Sequence, residues 1–218
     1  MVYNLTKCSG HQSRGTDFER FQFVGSLYPK HGKTLPEALG EARKKYPMTG
    51  TGHADTTLCL SHFRRVQVNH DVDELLRRGR DDAVFLPEPK TIPAAEKNRP
   101  QNMSIWPGAI LIARVDSKDS GLKNGLRYRV VQVRDAMVDL VQLNKDDEVP
   151  EGGTSFELLK VEVAAKLRLT HAITYFSSQA RTILGSLRLV DTASQHFTLR
   201  HLIVGLGRAP NGSDVQVE

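Results

Sequence analysis

Cysteine is scarce, with two residues in a chain of 218. Two thiols cannot build a disulfide framework, and such usage points to a reducing, intracellular compartment, nucleus and cytoplasm alike. Long apolar runs are missing as well. Stretches such as residues 109–113 are far too short to cross a bilayer, which excludes a helical span and argues against a membrane partner. The opening MVYNLTKCSG has no charged start leading into an apolar core, so no secretory leader is expected. Internal repeats and low-complexity segments are absent too. What is present is ordinary for a globular chain: 39% hydrophobic and 25% charged residues. The net charge of +5 permits a polyanionic partner without requiring one.

The hydrophobic periodicity changes along the chain. Phe18, Phe21, Val24 and Leu27 recur at helical spacing and predict a short amphipathic helix ending before Pro29. Pro36 suits the first turn of a second helix, with Leu35, Ala38, Leu39 and Ala42 on one face and Pro47 beyond its end. Residues 56–61 (TTLCLS) read as a strand buried on both faces. Residues 66–78 follow as a helix with Val68, Val72, Leu75 and Leu76 inward, which is the grammar of an α/β domain. Five prolines between 87 and 107 predict an extended linker.

From Gly108 the pattern is all-β. A strand over 109–115, the hairpin signal Asn124-Gly125, and alternating runs over 127–133 and 137–143 predict a small barrel. After about residue 160 the α/β grammar returns. Strands are predicted over 167–173, 186–190 and 215–217, and helices from 179 to 184 and over 197–206. The fold class expected is therefore α/β: a split parallel-sheet domain, residues 1–88 and 161–218, with an all-β insert over 100–160.

Two motifs near the C-terminus narrow the reading. Leu169-Thr170-His171-Ala172-Ile173-Thr174-Tyr175-Phe176-Ser177-Ser178-Gln179-Ala180 resembles motif V of superfamily 1 helicases, with Thr174, Ser178 and Gln179 in register. Leu199-Arg200-His201-Leu202-Ile203-Val204-Gly205-Leu206-Gly207-Arg208-Ala209 resembles motif VI, with Arg208 at the arginine position. In both order and spacing the chain resembles the C-terminal half of a RecD/Pif-like DNA helicase, of the kind carried by eukaryotes and giant viruses. Leu5-Thr6-Lys7-Cys8 falls where motif IV begins, and residues 57–69 resemble the strand and helix that follow it. The all-β segment, opened by Trp106-Pro107-Gly108 and turned at Lys123-Asn124-Gly125, resembles the family's SH3-like insert.

The resemblance implies a RecA-like second motor domain, split by an SH3-like barrel. In such helicases ATP and magnesium lie between two RecA-like domains, and the second supplies an arginine finger. By resemblance Arg208 is that finger, catalytic and nucleotide-binding, and Gln179 is a second nucleotide contact. Thr174 and Ser178 are expected on the single strand of DNA, and Arg127 on a DNA path along the barrel with Lys123, Arg129 and Arg134. The implied partners are single-stranded DNA and a first RecA-like motor domain, in the same polypeptide or another.

The chain also departs from that pattern. Phe176-Ser177 stands where the family has His-Lys, Ala180 where motif V ends in Gly, Gly207 before the finger where the family has Ser, and Gly10 at the motif IV arginine. No Gly-x-x-x-x-Gly-Lys-Thr loop is present: Gly32-Lys33-Thr34 is preceded by Leu27 at the first glycine position and flanked by Pro29 and Pro36. These residues alone are therefore expected to bind neither ATP nor magnesium and to hydrolyse no ATP. A helicase-derived nucleic-acid or protein binding module without activity is the alternative.

Plainer readings stand beside these. Arg208 reads equally as a surface arginine, Thr174, Ser177 and Ser178 as a capping turn, His171 as a satisfied core histidine, and Trp106 as a core anchor. Arg64, Arg65, Arg77, Arg78 and Arg80 read as a solvated helix face. Cys8-x-x-His11 and Cys59-x-x-His62 have the ligand types of a zinc site. Their wide separation, and a buried strand around Cys59, favour no metal.

Overall fold

The computed structural model describes residues 22–27, 32–49, 52–90 and 99–218. Phe18 and Phe21 of the first predicted helix, the motif IV position, and Cys8 and His11 lie outside the described residues. Residues 22–26 are helical and place Leu27 in the core.

Helix α1 (Leu35–Lys45) begins as its sequence dictates. Pro36 occupies the first turn, and the Glu37 carboxylate accepts from the Thr34 backbone N–H and hydroxyl. Ala38, Leu39 and Ala42 are its buried face. Strand β1 (Thr56–Cys59) is buried throughout and leads through Ser61 into α2 (His62–Arg77), whose Arg64 N–H the Ser61 hydroxyl accepts.

The predicted inward face of α2 is corrected at Leu75, which is 48% exposed; Val72 is buried, Val68 and Leu76 pack against core clusters, and Arg65, Asn69 and Asp73 also face inward. This helix packs by side-chain amide and carboxylate as much as by hydrocarbon. Asn69 donates to Ala172 O and accepts from Ala172 N–H at 2.8 Å, and both Asp73 oxygens accept from Ser104 N–H at 3.0 Å. An amide can satisfy a donor and an acceptor at once, so Asn69 serves the strand edge as a further strand would.

The predicted linker is not structureless. Strands β2 (Val84–Leu86) and β3 (Met103–Ile105) pair antiparallel across it. Prolines end these strands without preventing the pairing, because they lie outside the paired residues. Then come β4 (Ile110–Ala113), β5 (Arg127–Val133), β6 (Met137–Gln142) and β7 (Ser155–Leu159), followed by α3 (Lys160–Lys166) and β8 (Leu167–Leu169). These five strands form an antiparallel sheet in the order β7-β6-β5-β4-β8. Asn124-Gly125 is a turn, with Leu126 N–H bonded to Lys123 O, but it does not join two strands tightly. It closes a longer excursion between β4 and β5 that carries its own bridge, Ser117 to Leu122.

Strand β9 (Ala172–Thr174), β10 (Leu187–Leu189), α4 (Leu199–Leu206) and β11 (Val215–Val217) complete the chain. The strand expected over 167–173 is in fact two. Residues 167–169 pair with β4 in the antiparallel sheet, and 172–174 pair with β1 in a parallel one, so Thr170-His171 carries the chain between sheets. Apolar content is continuous across that joint, and periodicity alone does not mark it. The helix expected over 179–184 does not form; those residues are turn and coil.

The parallel sheet runs β11-β10-β1-β9. Its core joins α1 and α4 to Leu58, Ile173, Leu187, Leu189, Val215 and Val217. A second core lies on the antiparallel sheet and draws residues from Leu86 to Leu169, including Trp106. The described residues are thus mixed α/β, with one parallel and two antiparallel sheets among them. Among the described residues no helix is long and apolar enough to cross a membrane.

Candidate functional site

The parallel strands end together at one edge of their sheet. There β1 runs into α2, β9 into the turn Tyr175-Phe176-Ser177-Ser178, and β10 into Val190-Asp191. Open parallel sheets place ligands in the crevice at this edge.

Thr174, the last residue of β9, is buried. Its hydroxyl bonds the Ser177 hydroxyl at 2.9 Å and accepts from Ser177 N–H at 3.1 Å. Ser178 is fully buried, with its hydroxyl donating to Tyr175 O at 2.8 Å. Both hydroxyls hold the turn together, as the capping reading expects. Gln179 is exposed and lines a cavity of about 280 Å³ with Tyr175, Phe176, Arg200, His201 and Val204. Beneath it Tyr175 and Phe197 stack edge to face at 5.5 Å, and the His201 ring leans on both. Tyr175 Oη donates to Val190 O, and burial raises its pKa well above the usual phenol value.

Ala180 follows with φ of 60°. This is the left-handed conformation that glycine adopts freely and alanine does not. The turn thus has a backbone suited to glycine at a position that carries alanine.

Arg208 lies just past the end of α4 and is half-buried. Its Nε donates to Val204 O at 3.1 Å and its Nη1 to Arg181 O at 3.3 Å. It forms no ion pair among the described residues, so its charge is not neutralised locally. Arg208 does not line the cavity beside Gln179, though its guanidinium reaches the backbone two residues along, at Arg181 O. Arg181 in turn donates to Gly125 O at 2.8 Å. A continuous chain of contacts thus runs from Arg208 through Arg181 to the turn of the antiparallel sheet. Gly125 sits at φ 84°, a conformation glycine adopts freely and other residues rarely do; a Cβ there would also push aside the end of the Arg181 side chain.

Arg127 faces a larger cavity of about 520 Å³ between the two sheets, with Thr56, Ile112, Lys145, Thr170 and Arg181 on its walls. Arg127 is ion-paired to Asp147, and Arg129 donates to Asp147 O. Arg134 pairs with Asp139 and Glu157. Three of the four cations expected to line a path therefore have acidic or carbonyl partners, supplied by Asp139, Asp147 and Glu157. Thr174 and Ser178 do not reach this cavity.

The plainer readings divide. Trp106 is a core anchor, buried under Arg80 at 4.8 Å from the ring centroid. His171 is not satisfied: its buried Nε2 has no hydrogen-bond partner, and burial pushes its pKa down to about 4. Arg65 is not solvated. It is 1% exposed, Nε and Nη1 lack partners, and burial lowers its pKa. The Cys59 thiol is buried, with its pKa pushed up to about 12, chiefly by burial and then by Asp191. Among the described residues no His/Cys/Asp/Glu cluster is arranged to hold a metal ion.

No protein-family model matches the chain, and no curated protein matches it. Solved structures do. A structure of two coordinating Pif1 helicases at forked dsDNA superposes with a TM-score of 0.62 at 15% identity, over 91% of this chain and 46% of that one. Pif1 helicase from Candida albicans gives 0.57 at 16%, over 92% and 53%. Pif1 helicase from Bacteroides in complex with ADP-AlF3 and ssDNA gives 0.58 at 17%, over 92% and 48%. The chain spans about half the length of these proteins. At such identities the likeness is one of fold, and the fold is that of about half a Pif1 helicase, in keeping with the C-terminal half that the motif order resembles.

Proposed function

We propose that this chain is the second motor half of a Pif-like DNA helicase, a split RecA-like domain carrying an SH3-like insert, working inside the cell. The observation that carries the reading is the motif order within the matched fold: β9 leading to Thr174 and Gln179, then α4 leading to the uncompensated Arg208. A first motor domain, in this polypeptide or another, would hold ATP and magnesium. Arg208 would turn its guanidinium toward the transferring phosphate and stabilise charge there. Its present partners are backbone carbonyls, which it can exchange without leaving a buried carboxylate unpaired. Gln179 would contact nucleotide from the exposed turn. Thr174 and Ser178 would set that turn against single-stranded DNA, with Arg127 further along the strand.

Binding of a fluorescent single-stranded oligonucleotide tests the reading. Affinity should fall steeply with salt, as phosphate-driven binding does. Arg127→Ala should weaken it and flatten the salt slope, and Thr174→Ala should weaken it by loosening the turn. Absence of binding to DNA in the wild type would reject the reading.

A second reading is a binding module derived from a helicase, without ATP turnover. Three observations favour it: alanine in a glycine conformation at 180, a fully buried Ser178, and an Arg208 folded onto its own helix end.

A further inference from the structure

Two phenylalanines stand almost free of the protein. Phe63 and Phe176 are each 81% exposed, more than any other large hydrophobic residue described. A ring that exposed contributes little to the core and leaves apolar area in water, so the fold does not account for either. They leave the same end of neighbouring strands. Cys59 of β1 and Thr174 of β9 are register partners, and Tyr175 N–H still bonds Cys59 O. Phe176 follows that last paired residue, and Phe63 sits in the first turn of the helix that β1 enters. Both residues therefore stand at the same edge of the sheet, Phe63 on α2 and Phe176 beside α4.

Cations flank them. Arg200 shares the 280 Å³ cavity with Phe176, and Arg64 lines a neighbouring cavity of about 670 Å³ with Ser61, Ser194 and His196. His201 borders both cavities and joins them. The acids at this edge are engaged, one of them by Arg64 itself. Asp191 pairs with Arg64 at 3.5 Å and accepts from Leu60 N–H, and the Glu218 carboxylate accepts from Asp191 N–H, so a phosphate at Arg64 would take the place of Asp191. Arg200 is exposed and has no ion pair among the described residues.

From this arrangement we infer that Phe63 and Phe176 are stacking platforms for the bases of a single nucleic-acid strand, with Arg64 and Arg200 on its phosphates. Exposed aromatics between arginines suit such a strand: every base offers a flat face, and the backbone supplies the complementary charge. Phe176 stands where the resembled motif has histidine next to lysine, so a ring would take up by stacking what the lost cation held by charge. The inference rests on the single-strand reading above and adds to it the chemistry of one contact.

Anisotropy with the purified chain separates the two. The probes are labelled oligothymidine and a strand of equal length and phosphate count with abasic sites in place of bases. Wild type should bind oligothymidine more tightly. The Phe63→Ala, Phe176→Ala double variant should lose about tenfold or more on oligothymidine and nothing on the abasic strand. The corresponding double change to Trp should restore base-dependent binding. Arg200→Ala should weaken both strands and reduce the salt slope. Equal wild-type affinity for the two strands, or a double Ala variant that binds oligothymidine as wild type does, overturns stacking while leaving the single-strand reading intact. A wild type that binds neither strand overturns both.

Discussion

At the scale of single residues, the structure holds side chains that do not match their surroundings. Ala180 holds φ at 60° where the resembled motif has glycine. An L-residue there costs about 1 kcal/mol relative to glycine, so Ala180→Gly should raise stability by that order, read as a higher urea midpoint with unchanged m-value. His171 supplies a pH dependence. Its unfolded pKa is about 6.5, burial holds the folded value at about 4, nearby His53 lowers it further, and Asp55 opposes. The unfolded chain therefore binds more protons between these values. Stability should be complete above pH 6.5 and fall by on the order of 1–3 kcal/mol as pH drops toward 4. Melting curves at pH 7 and 4.5 should show a smaller drop in His171→Asn than in wild type; equal drops would assign the effect elsewhere. Neither environment was legible in the sequence. A histidine or arginine carries no mark of burial, and Arg65 looked like one more basic residue on a charged helix until the fold placed it beside Cys59 and Arg168.

At the scale of elements, strands with strong apolar runs were the most legible. The predicted spans 127–133 and 215–217 match β5 and β11 end to end, and α1 begins at the proline that announces it. Errors fell where two elements of one character meet or where polar side chains do the packing. Residues 167–173 hide a passage between sheets, and residues 87–107 hide β3 among prolines. Helix α2 keeps Val68, Val72 and Leu76 inward as expected, but Leu75 is exposed, and Asn69 and Asp73 join the inner face through hydrogen bonds that hydrophobic periodicity does not register. Asn69 closes the edge of β9, so Asn69→Ala should leave a donor and an acceptor of Ala172 buried and unpaired. The expected loss is about 2–4 kcal/mol by denaturant melting. A loss below about 0.5 kcal/mol, the range of ordinary surface substitutions, would show that the clasp is not what secures that edge.

At the scale of the whole molecule, the two C-terminal motifs pointed to the fold, and the structural likeness to Pif1 helicases agrees over more than nine-tenths of the chain. The site was legible only as positions. Sequence register named Thr174, Ser178, Gln179 and Arg208 but not their settings: a turn that consumes two hydroxyls, and a guanidinium resting on the carbonyls of Val204 and Arg181. It also passed over Phe63, because an exposed ring in a helix is visible only once the burial of its neighbours is known. The central claim is that these residues form the half of a motor that grips a strand and completes a nucleotide site without building one. ATP hydrolysis by the purified chain, assayed at a single-stranded DNA concentration shown to saturate it, tests that claim most directly. The account predicts DNA binding with no turnover above the protein-free rate; DNA-stimulated turnover that Lys33→Ala abolishes would contradict it.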